Sequence, residues 1–210
     1  MFPRLRVRSS VVVAALLLTA AAACTSGPPP PVDARPYDAQ IQSWRADKDA
    51  MLRTSADSPI PAANRASFPG LPYFPIDPAY HVPASLTAAG DARPVVMELP
   101  TSTAQRRRVV RAGALAFTIN GTPLTLTAFA DEGRPADRLF VPFGDLTNGQ
   151  DTYEGGRYME LDRTPTGLYD MDFNRAFHPY CVYNSTYDCP VPPRENRMPI
   201  AVRAGERLAR

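Results

Sequence analysis

The stretch LAFTINGTPLTLTA, residues 115–128, decides the fold class. Leu115, Phe117 and Ile119 alternate with Ala116 and Thr118, and Leu124, Leu126 and Ala128 alternate on the return. Between the two runs stands Asn120-Gly121, the residue pair that most readily takes the two left-handed positions of a tight hairpin turn. A period of two with an apolar face marks a half-buried strand, so the segment reads as a β-hairpin with one face on a core. The same alternation recurs at Leu139, Val141 and Phe143, at Tyr169, Met171 and Phe173, and at Ile200, Val202 and Ala204. Six or more short strands divided by Gly-, Asn- and Pro-rich turns predict a mainly β chain. The expected architecture is an antiparallel roll, barrel or sandwich.

One helix breaks this pattern. From Pro36 to Thr54, Tyr37, Ile41, Trp44, Lys48, Met51 and Leu52 fall at three- and four-residue steps, which makes the whole a β-rich α+β domain. Trp44 on that stripe reads as a core anchor. Residues 58–100 then carry nine of the 24 prolines, a density that argues against long helices and central strands. An ordered wrap over the domain, docked by Phe68, Leu71, Tyr73, Phe74 and Ile76, is expected there.

The 210 residues carry 23 basic and 21 acidic side chains, a net charge of +2. That excess sits at the start, in Arg4, Arg6 and Arg8, followed by the apolar run Val11–Leu18 and small residues ending at Ala21-Ala22-Ala23-Cys24. A basic start, a short apolar stretch and a small-residue end make an export signal, and thirteen residues are too few to span a bilayer. The segment resembles a bacterial lipoprotein signal, which implies cleavage before Cys24 and acylation of that residue. Ala21 stands where Leu is commonest, so plain secretion is the alternative. Without residues 1–23 the three arginines are gone and the charge falls to about −1, which excludes a strongly basic nucleic-acid binder. Residues 24–34 contain Pro28 to Pro31 and read as a polyproline tether, leaving 35–210 as a single β-rich domain. Arg106-Arg107-Arg108-Val109-Val110-Arg111, the one basic cluster, reads as a solvated strand edge.

Polar residues concentrate between Asp145 and Asn196. With Tyr169 to Asn174 as a strand, Asp170, Asp172 and Asn174 share a face, and Arg157 is available to hold a carboxylate through two hydrogen bonds. Glu195-Asn196 follows a stiff proline segment that could aim Glu195 at the same pocket. Two readings follow: Asp172 and Glu195 as the acid and the base or nucleophile of a carbohydrate hydrolase, or Arg157, Asp172 and Glu195 as a buried ion-pair network. Six aromatics from Tyr169 to Tyr187, Tyr180 among them, suit either stacking against a sugar or packing of a loop onto a sheet. Cys181 and Cys189 form an even pair in an oxidising compartment. A disulfide is the leading expectation, with free thiols or a metal site with His178 and Asp188 as alternatives. The spacing fits no standard zinc pattern, and neither a nucleotide loop nor a Ser/His/Asp arrangement is present. No metal or cofactor is expected.

DLTNGQDTYEGGRY at 145–158, DFNRAFHPYCVYNSTYDCP at 172–190, PPREN at 192–196 and the closing Ala204-Gly205-Glu206 together resemble domain-of-unknown-function family 1684. His178 departs from it, standing where that family usually carries Asn. The resemblance implies a single domain and no defined activity. The functional expectation is an envelope lipoprotein, outer-membrane-bound and facing the periplasm in a two-membrane host. It is expected to bind a glycan, a peptide or another envelope protein through Asp145, Arg157, Asn174, Tyr180 and Asn196. The carbohydrate hydrolase is the alternative. Globomycin, which blocks the lipoprotein signal peptidase, should make an uncleaved precursor accumulate; normal maturation under the drug would refute acylation at Cys24.

Overall fold

The computed structural model describes residues 33–90, 95–132 and 138–209. The signal segment 1–23 lies outside them, as does the tether 24–34 apart from its last two residues. Helix α1 (Tyr37–Thr54) starts behind Pro36, whose ring fixes φ at −52°, and carries Asp38 in its first turn where the helix dipole favours an anion. It buries Ile41 and Leu52, and a short second helix, α2 (Ala62–Arg65), follows.

Seven antiparallel strands make one sheet: β1 (His81–Ala88), β2 (Val96–Pro100), β3 (Arg106–Ile119), β4 (Thr122–Asp131), β5 (Arg138–Phe143), β6 (Arg157–Asp162) and β7 (Leu168–Asp172). The order is β6-β5-β4-β3-β1-β7, with β2 added beside the first half of β3. The expected hairpin is β3–β4. Asn120 and Gly121 take φ of 47° and 78°, both left-handed, and Ile119 pairs with Thr122 around them. The sheet curls until its end strands β6 and β7 approach without pairing, giving a nearly closed barrel. Inside lie Leu115, Leu126, Leu139, Val141, Phe143, Met171 and Phe173, all fully buried. Burying each such side chain contributes about 1.5–3 kcal/mol. A register shift between Arg111 and Gly113 bends β3. Beyond it a second cluster of Leu99, Val109 and Phe129 forms.

Three expectations are corrected. The proline-rich segment contains a central strand, β1, flanked by β3 and β7. It tolerates Pro83 because the ladder to β3 begins only at Ser85, so no hydrogen bond is asked of the missing N–H. The Arg106–Arg111 run is solvated but only partly an edge: Val109 to Arg111 also pair with β4, whereas Arg106 to Arg108 pair with β2 alone, with Arg107 on Asp131 at 2.6 Å and Arg108 on Glu132 at 2.8 Å. The expected strand at Ile200, Val202 and Ala204 is absent, although Val202 and Ala204 are fully buried.

That irregular tail is held by close backbone approach at Gly205, whose φ is +77°. A Cβ there would lie 2.5 Å from the Ala176 carbonyl oxygen and 2.7 Å from that of Phe173. Gly205→Ala should therefore cost about 2–4 kcal/mol, from left-handed strain plus overpacking, read as a lower urea midpoint. An unchanged midpoint would contradict this packing.

Candidate functional site

Polar groups gather where β7 ends, β1 begins and α1 crosses. At the centre is Arg157, on the inner face of β6 and wholly buried. Its Nη2 donates to Asp145 Oδ2 at 2.9 Å and to the Val202 carbonyl at 2.7 Å, and its Nη1 donates to the carbonyls of Ala204 and Glu206. Burial pulls the guanidinium below its ordinary range and the Asp145 carboxylate opposes that shift. Asp145 also accepts from Thr147 N–H at 2.8 Å, Thr147 Oγ1 at 2.6 Å and Val202 N–H at 3.2 Å.

The next carboxylate along is Glu206. Lys48 of α1 reaches its Oε1 at 2.6 Å, while Oε2 accepts from His178 N–H at 2.7 Å and from the Tyr183 hydroxyl at 2.6 Å. Burial first, then the Glu206 carboxylate, drives the Tyr183 pKa upward, so that hydroxyl stays a donor. His178 is buried, accepts the Tyr153 N–H on Nε2 at 3.2 Å, and is pushed down to about 3 by burial and by the nearby Arg157 and Lys48 charges. It is a neutral packing residue.

Asp172 closes the set. Its Oδ1 accepts the Tyr37 hydroxyl at 2.8 Å and Asn174 N–H at 3.0 Å, while Arg175 Nε lies 3.3 Å from Oδ2. Asn174 donates to the Tyr37 hydroxyl and the Asp77 carbonyl, both at 2.9 Å. Tyr37 stacks on His81 at 4.9 Å, and His81 Nε2 meets Asp170 Oδ1. Trp44, half-buried, lies 5.5 Å from the Lys48 ammonium and 5.9 Å from the Arg175 guanidinium.

Beside this network the unpaired edges of β6 and β7 leave a cleft of about 280 Å³. Met159, Leu161 and Tyr169 line it along with four carboxylates, those of Glu160, Asp162, Asp170 and Asp172, and with Thr164 and Arg175. Arg138 holds Glu160 at 2.9 Å and Asp162 at 3.2 Å from outside. The cleft is an acidic rim over an apolar floor, open to solvent on the outer face of the barrel.

The residues singled out from sequence do not converge. Asp172 belongs to this cleft, but Glu195 is exposed on a 3-10 turn whose neighbour Asn196 is fastened elsewhere. Asn196 donates to the Thr127 and Pro142 carbonyls, at 2.8 and 2.7 Å, and accepts Thr127 N–H at 2.7 Å. The expected ion-pair network of Arg157, Asp172 and Glu195 is not formed: Arg157 pairs with Asp145, Asp172 pairs with Arg175, and Glu195 is exposed. Asp145, Arg157, Asn174 and Asn196 are all buried and bonded inside the domain, and half-buried Tyr180 packs edge-on against Tyr187 at 5.4 Å. The aromatic density packs a loop: Tyr169 and Phe173 are core, and Tyr158 meets Phe177 at 5.9 Å.

The expected disulfide is not formed in this structure. Cys181 and Cys189 are free thiols, with Cys181 N–H on Cys189 Sγ at 3.2 Å. Burial and the Cys181 hydrogen bond push the Cys189 thiol up to about 12, which keeps it a poor nucleophile. Among the described residues no group of three or more His, Cys, Asp or Glu side chains is placed to hold a metal ion, and no helix is long and apolar enough to cross a membrane. Sequence reasoning missed Glu206, Lys48, Glu160 and Asp162. Glu206 had a signal in the closing Ala-Gly-Glu and Lys48 in its place on the α1 stripe, whereas Glu160 and Asp162 look like ordinary surface charges until the sheet order is known.

Fold and site together define a small, nearly closed antiparallel β-barrel, with a helix strapped across one end and an acidic seam in its wall. The chain belongs to the family described as Protein of unknown function (DUF1684), which matches residues 66–207. It is 39% identical to an uncharacterized protein from gene locus rrnAC0354 of Haloarcula marismortui, known from a solution NMR structure. The match covers 82% of this chain and 94% of that one, with a TM-score of 0.64. No curated protein matches.

His178 gives a pH prediction. Its folded pKa of about 3 lies below the unfolded value of about 6.5, so only the unfolded chain takes up this proton as pH falls between the two. Its contribution is therefore complete above pH 6.5 and lost on acidification, by about 2 kcal/mol at pH 5. Urea unfolding at pH 7.5 and pH 5 should show that loss, reduced in His178→Asn. Equal losses in both proteins would refute it.

Proposed function

We propose that the protein is a lipid-anchored envelope protein that binds its ligand in the β6–β7 cleft without transforming it. The observation that carries this reading is the seam itself. Two strand edges that could have closed the barrel stay apart, and four carboxylates and an arginine stand over an apolar floor between them. A concave site with few convergent polar groups over apolar side chains is the usual form of a ligand site, and about 280 Å³ suits a small fragment. Acidic side chains accept hydrogen bonds, so the fitting ligands are donors: the hydroxyls and amines of a glycan, or the cationic side chains of a peptide or partner protein.

Attachment through Cys24 supports the envelope setting, because acyl chains on the new N-terminus hold a protein at a membrane while the proline tether gives reach. In a two-membrane host the outer membrane, facing the periplasm, is the proposed location. The hydrolase alternative finds no support in the placement of Asp172 and Glu195.

The test is a thermal-shift screen of glycan fragments, including amino sugars, and of basic peptides against the wild type and a Glu160→Gln/Asp170→Asn variant. At least one class should raise the wild-type Tm by several degrees and lose that effect in the variant. Ligands that stabilise both proteins equally, or none that stabilises either, would refute binding in this cleft.

A further inference from the structure

Which backbone groups face the seam follows from the positions of two prolines. Pro142 pairs with Tyr158 across β5–β6, and Pro83 pairs with Asp170 across β1–β7. A proline lacks the N–H that a hydrogen-bonded pair exchanges, so both are non-hydrogen-bonded pairs of an antiparallel ladder. Alternation then turns the backbone N–H and C=O of Tyr158, Glu160 and Asp162 away from β5 and toward the seam. On the facing edge it does the same for Leu168, Asp170 and Asp172. Two places confirm this geometry. Tyr158 N–H donates to the Phe177 carbonyl at 2.8 Å and its carbonyl accepts Phe177 N–H at 3.0 Å. The Leu168 carbonyl accepts Thr164 Oγ1 at 2.8 Å.

Phe177 thus acts as a single antiparallel residue added to the outer edge of β6. Beyond it the edge from Glu160 to Asp162 has no strand partner among the described residues, and the cleft opens there. The side chains of Glu160, Asp162 and Asp170 are 46%, 84% and 78% exposed, on the outer face, while Met159 and Leu161 point into the core.

We infer that this edge takes an extended basic peptide, which adds to β6 from Glu160 to Asp162 along the line that Phe177 begins. The inference rests on the cleft being a binding site. A peptide is favoured over a glycan because the edge repeats a donor and an acceptor at every second residue, the spacing of an extended backbone. Its alternate side chains would stand outward beside the exposed carboxylates of Glu160, Asp162 and Asp170. Lys or Arg at those positions makes opposite-charge cross-strand pairs. The intervening side chains meet Met159, Leu161 and Tyr169 and should be apolar. The free edge is three residues, about 10 Å, so the motif is a short basic-apolar-basic one.

The experiment uses the full-length protein and a fluorescently labelled Lys-Val-Lys-Val-Lys peptide, followed by anisotropy at low and high salt. Two further peptides carry N-methyl groups on alternate amides, one in each register, because methylation removes the donors that an edge needs while leaving the charge. Saturable binding is expected, at least tenfold weaker for one methylated register and at least tenfold weaker with Glu160→Gln/Asp162→Asn. Equal binding of all three peptides would overturn edge pairing. Absence of peptide binding together with a glycan that shifts the wild-type Tm would overturn the inference while the cleft remains a ligand site. If neither class binds, both readings fall.

Discussion

The buried guanidinium of Arg157 is the interaction on which the rest of the molecule depends. A charge of this size cannot be taken out of water unpaired without a penalty of several kcal/mol, and one carboxylate does not satisfy its donors. Asp145 supplies the countercharge, and the carbonyls of Val202, Ala204 and Glu206 supply three further acceptors for Nη1 and Nη2. The last turns of the chain form no strand, yet three of their carbonyls are fixed to one planar group. Regular secondary structure is unnecessary there because Arg157 does the work of a ladder. Gly205 lets the tail come close enough.

From that point order passes outward. Once the Glu206 backbone is fixed, its side chain collects His178 N–H, the Tyr183 hydroxyl and the Lys48 ammonium. Those contacts bind the 172–190 loop and helix α1 to the barrel end. Tyr37 at the start of the same helix reaches Asp172 and His81. The helix is therefore held by an ion pair near its middle and a hydroxyl at its start, with Ile41 buried between them. This network is inward-facing and densely bonded, which suits it to holding shape, while Glu160, Asp162 and Asp170 of the seam are exposed to meet a ligand.

The hairpin was legible because its signal is local: alternating side chains and Asn-Gly specify a strand pair without reference to any other element. Helix α1 was legible for the same reason. Pro83 shows where local reading fails, since whether a proline fits a central strand depends on which neighbour needs its N–H, and only the register reveals that. The tail misled because buried Val202 and Ala204 give the alternation of a strand, while the groups that bond their backbone sit on one distant side chain. Asp172 was found as a polar residue at the right end of the barrel. Its supposed partner Glu195 is carried away by Asn196, whose side chain is fastened to the Thr127 and Pro142 backbone. The carboxylates that do share the cleft with Asp172 come from β6, and nothing in a single sequence announces which two strands end a sheet.

Why the barrel stops short of closing can be argued from the same residues. Strands β6 and β7 are consecutive and joined by residues 163–167, so a simple hairpin would pair Asp162 with Leu168 and Glu160 with Asp170. The second pair sets two carboxylates directly opposite on the outer face, a destabilising arrangement. The chain instead lets β7 run on beside β1 and returns Phe177 to the β6 edge at Tyr158, two residues before Glu160, where the acidic stretch begins. An open strand edge invites pairing with other chains, and charge is the common means of discouraging it. Here carboxylates outnumber the arginines Arg138 and Arg175, so the edge disfavours acidic strands while leaving the position open to a strand that carries the opposite sign. The carboxylates that keep the barrel from closing on itself are the ones that would select what closes it.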